Sequence, residues 1–278
     1  MKYLFDIKNF CVLFFVCFFL SGCQTYVLGR HKAAERIGER YHMTQRLVKG
    51  DKFWLMTYQR ITNPQAPFVV YIEGDGYAFK TKYTISEDPT PIRPMLLRLA
   101  AEDTRQNVVY IARPCQYTME MDKAVCDESY WSDKRMSDEV VRSINDVIIE
   151  LTNKAPVRLV GFSGGGGIAV LVAARNPQVR SILTIAGNLD HVAFNNYHDS
   201  RPMLGSLNPI DYVSKVRNIP QLHFSGGIDK IVPPFIGDKF VQAANSPCVH
   251  QEVIPDVEHR EGWERRWDYI LSAPIKCY

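Results

Sequence analysis

The sequence predicts an α/β fold in which a mostly parallel sheet of about eight strands carries helices on both faces. Three observations lead to this prediction. Short apolar runs typical of buried strands recur along the chain, amphipathic helical patterns lie between them, and one apolar run leads through a glycine-rich turn directly into a helix. Strands that alternate with helices favour a parallel sheet, because a parallel connection needs a crossover long enough to hold a helix.

Two strand candidates come first along the chain and meet at Gly50 and Asp51, which predicts an antiparallel hairpin at one edge of the sheet. Apolar runs that predict the parallel strands follow them. The hairpin candidates are 45–49 and 53–61, and the later candidates are 68–72, 108–112, 157–162, 182–186, 221–224 and 249–254.

The clearest helical pattern covers 140–151, with Ser137 suited to cap it and acidic residues in its first turn. Pro91 is suited to start a second helix that runs to Ala100. A third amphipathic pattern covers 263–271, and the polar segment 30–41 is expected to be helical or extended over the surface.

Length and composition favour one large domain, predicted at 44–278. The chain has 278 residues, 46% of them hydrophobic and 23% charged, and no linker divides it. Its formal charge of +3 is spread without a basic stripe, so no nucleic-acid partner is expected. The oligomeric state is not predicted.

The first residues have the pattern of an export signal. Lys2 and Lys8 precede an apolar run over 10–20, which is short for a membrane span but suits a signal peptide. The run ends in Leu20-Ser21-Gly22-Cys23, which resembles a bacterial lipobox. The resemblance implies a signal peptide at 1–22, a lipidated Cys23, and a tether and N-terminal segment at 23–43. The alternatives are an uncleaved anchor and an ordinary secreted protein.

A lipidated Cys23 would place the protein in the cell envelope of a bacterium, anchored to a membrane and facing the periplasm or the exterior. Gln24 stands where familiar sorting rules place an aspartate that retains lipoproteins at the inner membrane. The outer membrane is therefore favoured if the source is Gram-negative.

The remaining cysteines fit an exported protein. Cys11 and Cys17 would leave with the signal, and an even set remains, which favours two disulfides. The expected pairs are Cys115–Cys126 and Cys248–Cys277, although the sequence leaves the other two pairings open. There is no C-x-x-C and no histidine pair at ligand spacing, so neither a metal site nor a cofactor is expected.

Ser163 is the main candidate for a catalytic group. It follows an apolar run in Gly161-Phe162-Ser163-Gly164-Gly165, and a sharp strand-to-helix turn of this kind exposes a serine Oγ. A glycine-rich surface turn is the simpler alternative.

A nucleophilic serine needs a general base and an acid that orients the base. Asp229 and His259 follow later strand candidates, and the carboxyl ends of parallel strands gather active groups. His223 and His250 lie inside strand candidates and are expected to be structural or surface-facing. The competing candidates for the acid are Asp256, Asp190, Asp199 and Asp211.

The chain order Ser163, Asp229, His259 resembles the α/β-hydrolase superfamily, and the resemblance covers nearly all of the mature chain. It implies that Ser163 is the nucleophile, His259 the general base and Asp229 the orienting acid. The expected activity is carboxylic ester hydrolysis through an acyl-serine, on a small-molecule ester or acyl substrate. The alternatives are an acyltransferase, thioesterase or peptidase, and a non-catalytic surface lipoprotein of the same fold.

The resemblance also implies an oxyanion hole. One donor is expected to be the N–H of Gly164, and the second the N–H of Asp75, with Gly76 as the alternative. The loop at 73–76 departs from the His-Gly pattern of many esterases, and the Asp75 carboxylate is expected to point away from the oxyanion. Two insertions, 113–135 and 188–212, are long enough to shape specificity, and the second lies where the superfamily places its cap.

Overall fold

The computed structural model describes residues 28–278 of the chain. Its strands are β1 (Thr44–Lys49), β2 (Trp54–Ile61), β3 (Phe68–Ile72), β4 (Phe79–Thr81), β5 (Thr84–Ile85), β6 (Asn107–Ile111), β7 (Val157–Phe162), β8 (Val179–Ile185), β9 (Gln221–Gly226) and β10 (Val249–Ile254). Its α-helices are α1 (28–40), α2 (Met95–Glu102), α3 (Asp138–Thr152), α4 (Gly164–Ala173), α5 (His191–Tyr197), α6 (Val213–Val216), α7 (Phe235–Ala244) and α8 (Trp263–Ser272).

Within 28–278, eight of the strands form one sheet in the order β1-β2-β6-β3-β7-β8-β9-β10. Strands β1 and β2 make the predicted antiparallel hairpin, and β2 joins the sheet through an antiparallel pairing with β6. The neighbours from β6 to β10 are parallel. This arrangement confirms the predicted fold class.

The core lies on both faces of the sheet, because successive side chains of its central strands point in opposite directions. In β3, Val70 and Ile72 pack in the layer that contains α3, α4 and α7. Val69 and Tyr71 pack in the opposite layer with α2 and α8. Every residue of β3 is buried, as expected for a central parallel strand.

Three local features differ from the sequence interpretation or sharpen it. Helix α2 begins at Met95, after Pro94 and not at Pro91. Ser137 occupies the N-cap position of α3, but its hydroxyl makes no capping hydrogen bond. The short antiparallel pair β4 and β5, in the loop after β3, has exposed side chains apart from the half-buried Ile85 and has no apolar pattern, so the sequence did not indicate it.

The insertions carry structure of their own. Residues 113–135 contain the disulfide Cys115–Cys126 and a 3₁₀ turn, Glu128–Trp131. Residues 188–212 contain α5 and a second 3₁₀ turn, Pro209–Tyr212. The other disulfide, Cys248–Cys277, ties the C-terminal residues to the start of β10. Both disulfides have the pairing that the sequence favoured.

The structure bears on the N-terminal predictions only from residue 28 onward. The signal peptide and Cys23 lie outside the described residues. From residue 28 onward, α1 packs on the domain through the fully buried Ala34, and Arg30 donates to the carbonyl oxygens of Asp88 and Thr90. Over the described range, no helix has both the length and the apolar character needed to cross a bilayer.

Candidate active site

Ser163 occupies a strained turn between β7 and α4. Its φ of 52° and ψ of −122° lie where a residue with a side chain is rarely found. Its N–H donates to the carbonyl of Ile185 at 3.0 Å, and its carbonyl accepts from the N–H groups of Gly166 and Asn188 at 2.9 Å. These bonds hold the turn against its strain, and the turn separates Oγ from the backbone of both neighbouring elements.

Close packing places this turn beside the loop that follows β3. A Cβ atom added to Gly165 would lie 2.2 Å from the carbonyl oxygen of Ile72 and 2.4 Å from that of Glu73. Only glycine permits this approach. The N-terminus of α4 therefore lies directly against the end of β3.

Asp229 and His259 complete a hydrogen-bonded chain to Ser163. Nδ1 of His259 lies 2.8 Å from Oδ2 of Asp229, and Nε2 of His259 lies 3.1 Å from Oγ of Ser163. Asp229 and His259 are both buried. The other carboxylate oxygen of Asp229, Oδ1, accepts the N–H groups of Ile231 and Val232 at 2.7 and 2.9 Å.

This chain of contacts fixes the tautomer of the imidazole. The Asp229 carboxylate can only accept, so Nδ1 of His259 must carry the proton and donate it. Nε2 is then free to accept the hydroxyl hydrogen of Ser163. The indole Nε1 of Trp263 donates to the backbone carbonyl of His259 at 3.0 Å, and the centroid of the Phe162 ring lies 5.1 Å from that of the imidazole, so both the backbone and the ring of His259 are held in place.

The competing acids lie elsewhere in the structure. Asp256 pairs with Arg266 on the surface, and Asp190 accepts two backbone N–H groups at the start of α5. In the part of the chain described, Asp229 is the carboxylate bonded to His259; Asp199 and Asp211 are not.

Of the two histidines expected to be structural or surface-facing, His223 is structural and His250 lies half-buried near the surface. His223 is buried in β9, and Nδ1 of its ring lies 2.9 Å from Oγ1 of Thr184. Burial lowers the pKa of His223 to about 3. Nε2 of His250 lies 2.9 Å from the carbonyl of Pro247.

The backbone N–H groups expected to form the oxyanion hole make no hydrogen bond to the described part of the protein. Among residues 28–278, the backbone N–H groups of Gly164, Asp75 and Gly76 donate to no protein acceptor. Gly76 has a φ of +66°, and a Cβ there would lie 2.1 Å from the carbonyl oxygen of Pro89. The loop therefore requires glycine at this position. The same loop packs against the serine, because a Cβ added to Gly74 would lie 3.3 Å from Cβ of Ser163.

The sequence analysis expected the Asp75 carboxylate to point away from the oxyanion, but in the structure the carboxylate lies against Gly164, whose N–H is one of the expected oxyanion donors. A Cβ added to Gly164 would lie 2.1 Å from Oδ1 of Asp75. The physical reason is a pair of arginines: Nη1 of Arg113 lies 3.2 Å from Oδ1, and Nε of Arg135 lies 3.5 Å from Oδ2. Their positive charges hold the carboxylate in place and offset its charge.

Glu73, the first residue of the same loop, is a buried carboxyl group. Its Oε1 accepts the N–H of Gly74 at 2.9 Å, and its Oε2 accepts the hydroxyl of Tyr110 at 2.8 Å. Burial raises the pKa of Glu73 to about 7. The side chain thereby fixes the backbone at the start of the candidate oxyanion loop.

The sequence analysis did not single out the side chains of Glu73, Arg113 and Arg135. A signal existed for the first two, because Glu73 follows β3 and Arg113 follows β6, and these strands are neighbours in the sheet. Arg135 lies far from any strand end and had no such signal. No cluster of metal-ligating side chains occurs within the described range.

Comparison with known proteins gives structural matches alone. No protein-family model matches the chain, and no curated protein matches it. One similar solved structure is an acylaminoacyl peptidase from Pyrococcus horikoshii, which is 14% identical with a TM-score of 0.56 over 81% of this chain. The chain spans 38% of the length of that peptidase.

Two other similar structures are closer to this chain in size. The esterase Pf2001 from Pyrococcus furiosus is 12% identical, with a TM-score of 0.59, and the match covers 84% of this chain and 91% of the esterase. Est1E from Butyrivibrio proteoclasticus is 14% identical, with a TM-score of 0.55, and the match covers 82% and 96% of the two chains. At these identities the similarity establishes the fold, which is the α/β-hydrolase fold.

Proposed function

We propose that this chain is a serine hydrolase and that it hydrolyses carboxylic esters. Ser163 is the nucleophile, His259 the general base and Asp229 the acid that orients the base. The observation that carries the proposal is the hydrogen-bonded chain from Asp229 through His259 to Oγ of Ser163 on a strained turn. The fold supports it, because solved structures that share the fold include proteins described as esterases.

The proposed reaction has two halves. Oγ of Ser163 attacks the ester carbonyl while its proton moves to Nε2 of His259, and the backbone N–H groups of Gly164 and Asp75 stabilise the oxyanion. The imidazolium then gives the proton to the departing alcohol oxygen, which leaves an acyl-serine. A water molecule then gives a proton to Nε2 of His259 and attacks the acyl carbonyl. The bond to Oγ breaks, the carboxylic acid leaves, and the proton returns from His259 to Oγ of Ser163.

The proposal is tested by covalent labelling. A fluorophosphonate probe is expected to label the protein, and Ser163→Ala is expected to abolish the label. Ser272→Ala is the control, because Ser272 is exposed on α8 and its hydroxyl bonds only a local carbonyl. A folded protein that remains unlabelled would favour the non-catalytic alternative.

Peptidase activity is the second candidate, because an acylaminoacyl peptidase shares the fold and a serine triad can also cleave amides. The two activities separate on matched substrates that differ only in an ester or an amide at the scissile bond. We expect turnover of the ester, and turnover of the amide alone would contradict the esterase assignment.

We propose further that the protein is exported and lipid-anchored through Cys23. The two disulfides support export, because disulfides persist in oxidising compartments outside the cytosol. In a bacterial host fed a tagged fatty acid, the protein is expected to take up label and to fractionate with membranes, and Cys23→Ser to abolish the lipid label. A Cys23→Ser variant that stays firmly membrane-bound would instead indicate an uncleaved anchor.

A further inference from the structure

Two buried arginines lie beside the proposed nucleophile. The side chains of Arg113 and Arg135 are only 5% and 9% exposed, and both contact the carboxylate of Asp75. Because two guanidinium groups share one carboxylate, the cluster carries one uncompensated positive charge. Buried charges are normally paired, so this excess needs a partner.

The hydrogen bonds of the two arginines are unequal. Arg113 donates from Nη1 to Asp75 and from Nη2 to the carbonyl of Arg135. Over residues 28–278, Arg135 donates no hydrogen bond: its buried Nε faces Oδ2 of Asp75 at 3.5 Å as an ion pair only, and its two Nη groups contact no protein acceptor. Nε of Arg113 is likewise buried without a hydrogen bond. Leaving the donors of a buried charged group unfilled is costly, and native proteins rarely do so. The donor set of Arg135 is suited to an acceptor that comes from a ligand.

The cluster is close to the reaction centre. The Asp75 carboxylate, which both arginines contact, packs directly on Gly164, the residue after Ser163. The Arg135 guanidinium, which contacts this carboxylate, also lies over the ring of Phe194 on α5, with its Cζ 6.0 Å from the ring centroid. A ligand group at Arg135 would therefore lie between the proposed oxyanion loop and the insertion at 188–212.

The remaining charged groups around the loop do not cancel the excess charge. Glu73 interacts electrostatically with both Arg113 and Arg260, and even a fully ionised Glu73 leaves these two arginines and Arg135 facing only two carboxylates, Asp75 and Glu73. Arg260, next to His259, adds a further positive group, with Nη2 3.4 Å from the carbonyl of Gly76. The electrostatic field beside Ser163 thus favours an anion.

We infer that Arg113 and Arg135 form an anion-binding subsite and that the substrate is an ester that also carries a carboxylate, an inference that rests on the proposed esterase function. The planar fork of a guanidinium matches a carboxylate in geometry. A single uncompensated charge suits a monoanion better than a phosphate dianion. Asp75 keeps the two arginines apart and oriented, and the carboxylate of the substrate fills the donors of Arg135.

Matched esters test the subsite on both sides of the scissile bond. On the acyl side, mono-4-nitrophenyl adipate is compared with its methyl-capped diester. On the alcohol side, 3-carboxyphenyl acetate is compared with its methyl ester. In at least one pair, the wild-type enzyme is expected to prefer the carboxylate by about tenfold to a hundredfold in kcat/KM, as charged hydrogen bonds imply.

Arg135→Gln is expected to abolish that preference, and Arg135→Lys to retain part of it. Arg158→Gln is the control, because Arg158 is half-buried near the opposite end of β7 from Ser163. Titration with the fluorophosphonate gives the concentration of active enzyme in each preparation, and the rates are divided by that concentration. Equal kcat/KM values for the charged and the neutral ester in both pairs would overturn the inference. So would an Arg135→Gln variant whose kcat/KM falls by the same factor for charged and neutral esters.

Binding to Ser163→Ala separates failure of the subsite from failure of the proposed function. Calorimetry with monomethyl adipate and with dimethyl adipate requires no turnover. Binding of the anion that is lost in Ser163→Ala/Arg135→Gln supports the subsite even if no ester is hydrolysed. No preference for the anion over the neutral diester would refute the subsite and leave the labelling of Ser163 unaffected.

Discussion

At the scale of single residues, the site depends on the carboxylate of Asp229, because both of its oxygens accept hydrogen bonds. Oδ1 of Asp229 is held by two backbone N–H groups, so Oδ2 is fixed toward Nδ1 of His259. The sequence placed Asp229 at a strand end, which is a local property that a chain pattern reveals. The contact of Asp75 with Gly164 depends on two distant arginines, and no local pattern could reveal it.

Asp229→Asn tests this orientation. An amide can present its NH₂ to Nδ1 and favour the wrong tautomer, so kcat/KM for an ester is expected to fall by about a thousandfold to ten-thousandfold. The free energy of unfolding is expected to change much less than the rate. Asp256→Asn is the control, because Asp256 pairs with Arg266 at the surface. Equal losses in the two variants would contradict the role of Asp229.

Glu73→Gln tests the buried carboxyl of the oxyanion loop. Burial raises the pKa of Glu73 from 4.5 to about 7, so between these pH values the folded protein holds a proton that the unfolded chain has released. The group therefore makes the free energy of unfolding fall as pH rises through that window, by on the order of 3 kcal/mol.

Glutamine does not titrate, so the stability of Glu73→Gln relative to the wild type should rise by that amount between pH 4.5 and pH 7 and then stay constant. Urea unfolding of both proteins at several pH values measures the difference. Two parallel stability curves would show that Glu73 has the same pKa in the folded and unfolded states.

At the scale of elements, the bounds of three strands were predicted as observed. β3 and β7 are buried strands, which form continuous apolar runs. The edge strand β10 also has the predicted bounds, although half-buried and exposed residues lie between its two buried ends. The bounds of β8 and β9 differ by a few residues, because sheet pairing continues past the end of an apolar run. Helix α2 starts later than predicted because Pro91 is compatible with a helix start without requiring one.

The packing of α4 on β3 gives a prediction about glycine. Gly165→Ala would put a methyl group about where the carbonyls of Ile72 and Glu73 now lie, and is expected to lower the free energy of unfolding by about 1 to 3 kcal/mol. Gly29→Ala is the matched control, because a Cβ there meets nothing within 4 Å and the residue is in α1. Chemical denaturation measures both variants, and equal stabilities would contradict the close approach.

At the scale of the whole molecule, the sheet order brings Ser163, Asp229 and His259 together from the ends of β7, β9 and β10. The sequence predicted the α/β class and the residues after these strands. It could not give the packing of the long insertions, because their course depends on contacts such as that of Arg135 with Asp75 and Phe194.

The disulfide Cys248–Cys277 constrains the last part of the chain. It closes a loop with a sequence separation of 29, so its removal is expected to lower the free energy of unfolding by about 3 to 4 kcal/mol. The double variant Cys248→Ala/Cys277→Ala, compared with the wild type in urea, measures this. Ester turnover at low temperature should persist, since the bond lies away from Ser163. An unchanged urea midpoint would show that the C-terminal segment is held by other contacts.

The docking of α1 limits how far the enzyme could work from a membrane. Because α1 is buried against the domain from Arg30 onward, a spacer that starts at Cys23 could include at most residues 23–29, and a fully extended chain of that length reaches roughly 25 Å. A lipid on Cys23 would therefore keep the N-terminal end of the folded domain closer to the lipid surface than the thickness of a bilayer's hydrocarbon core, about 30 Å. Such an enzyme would meet esters at that surface or diffusing close to it, and not those in the wider compartment.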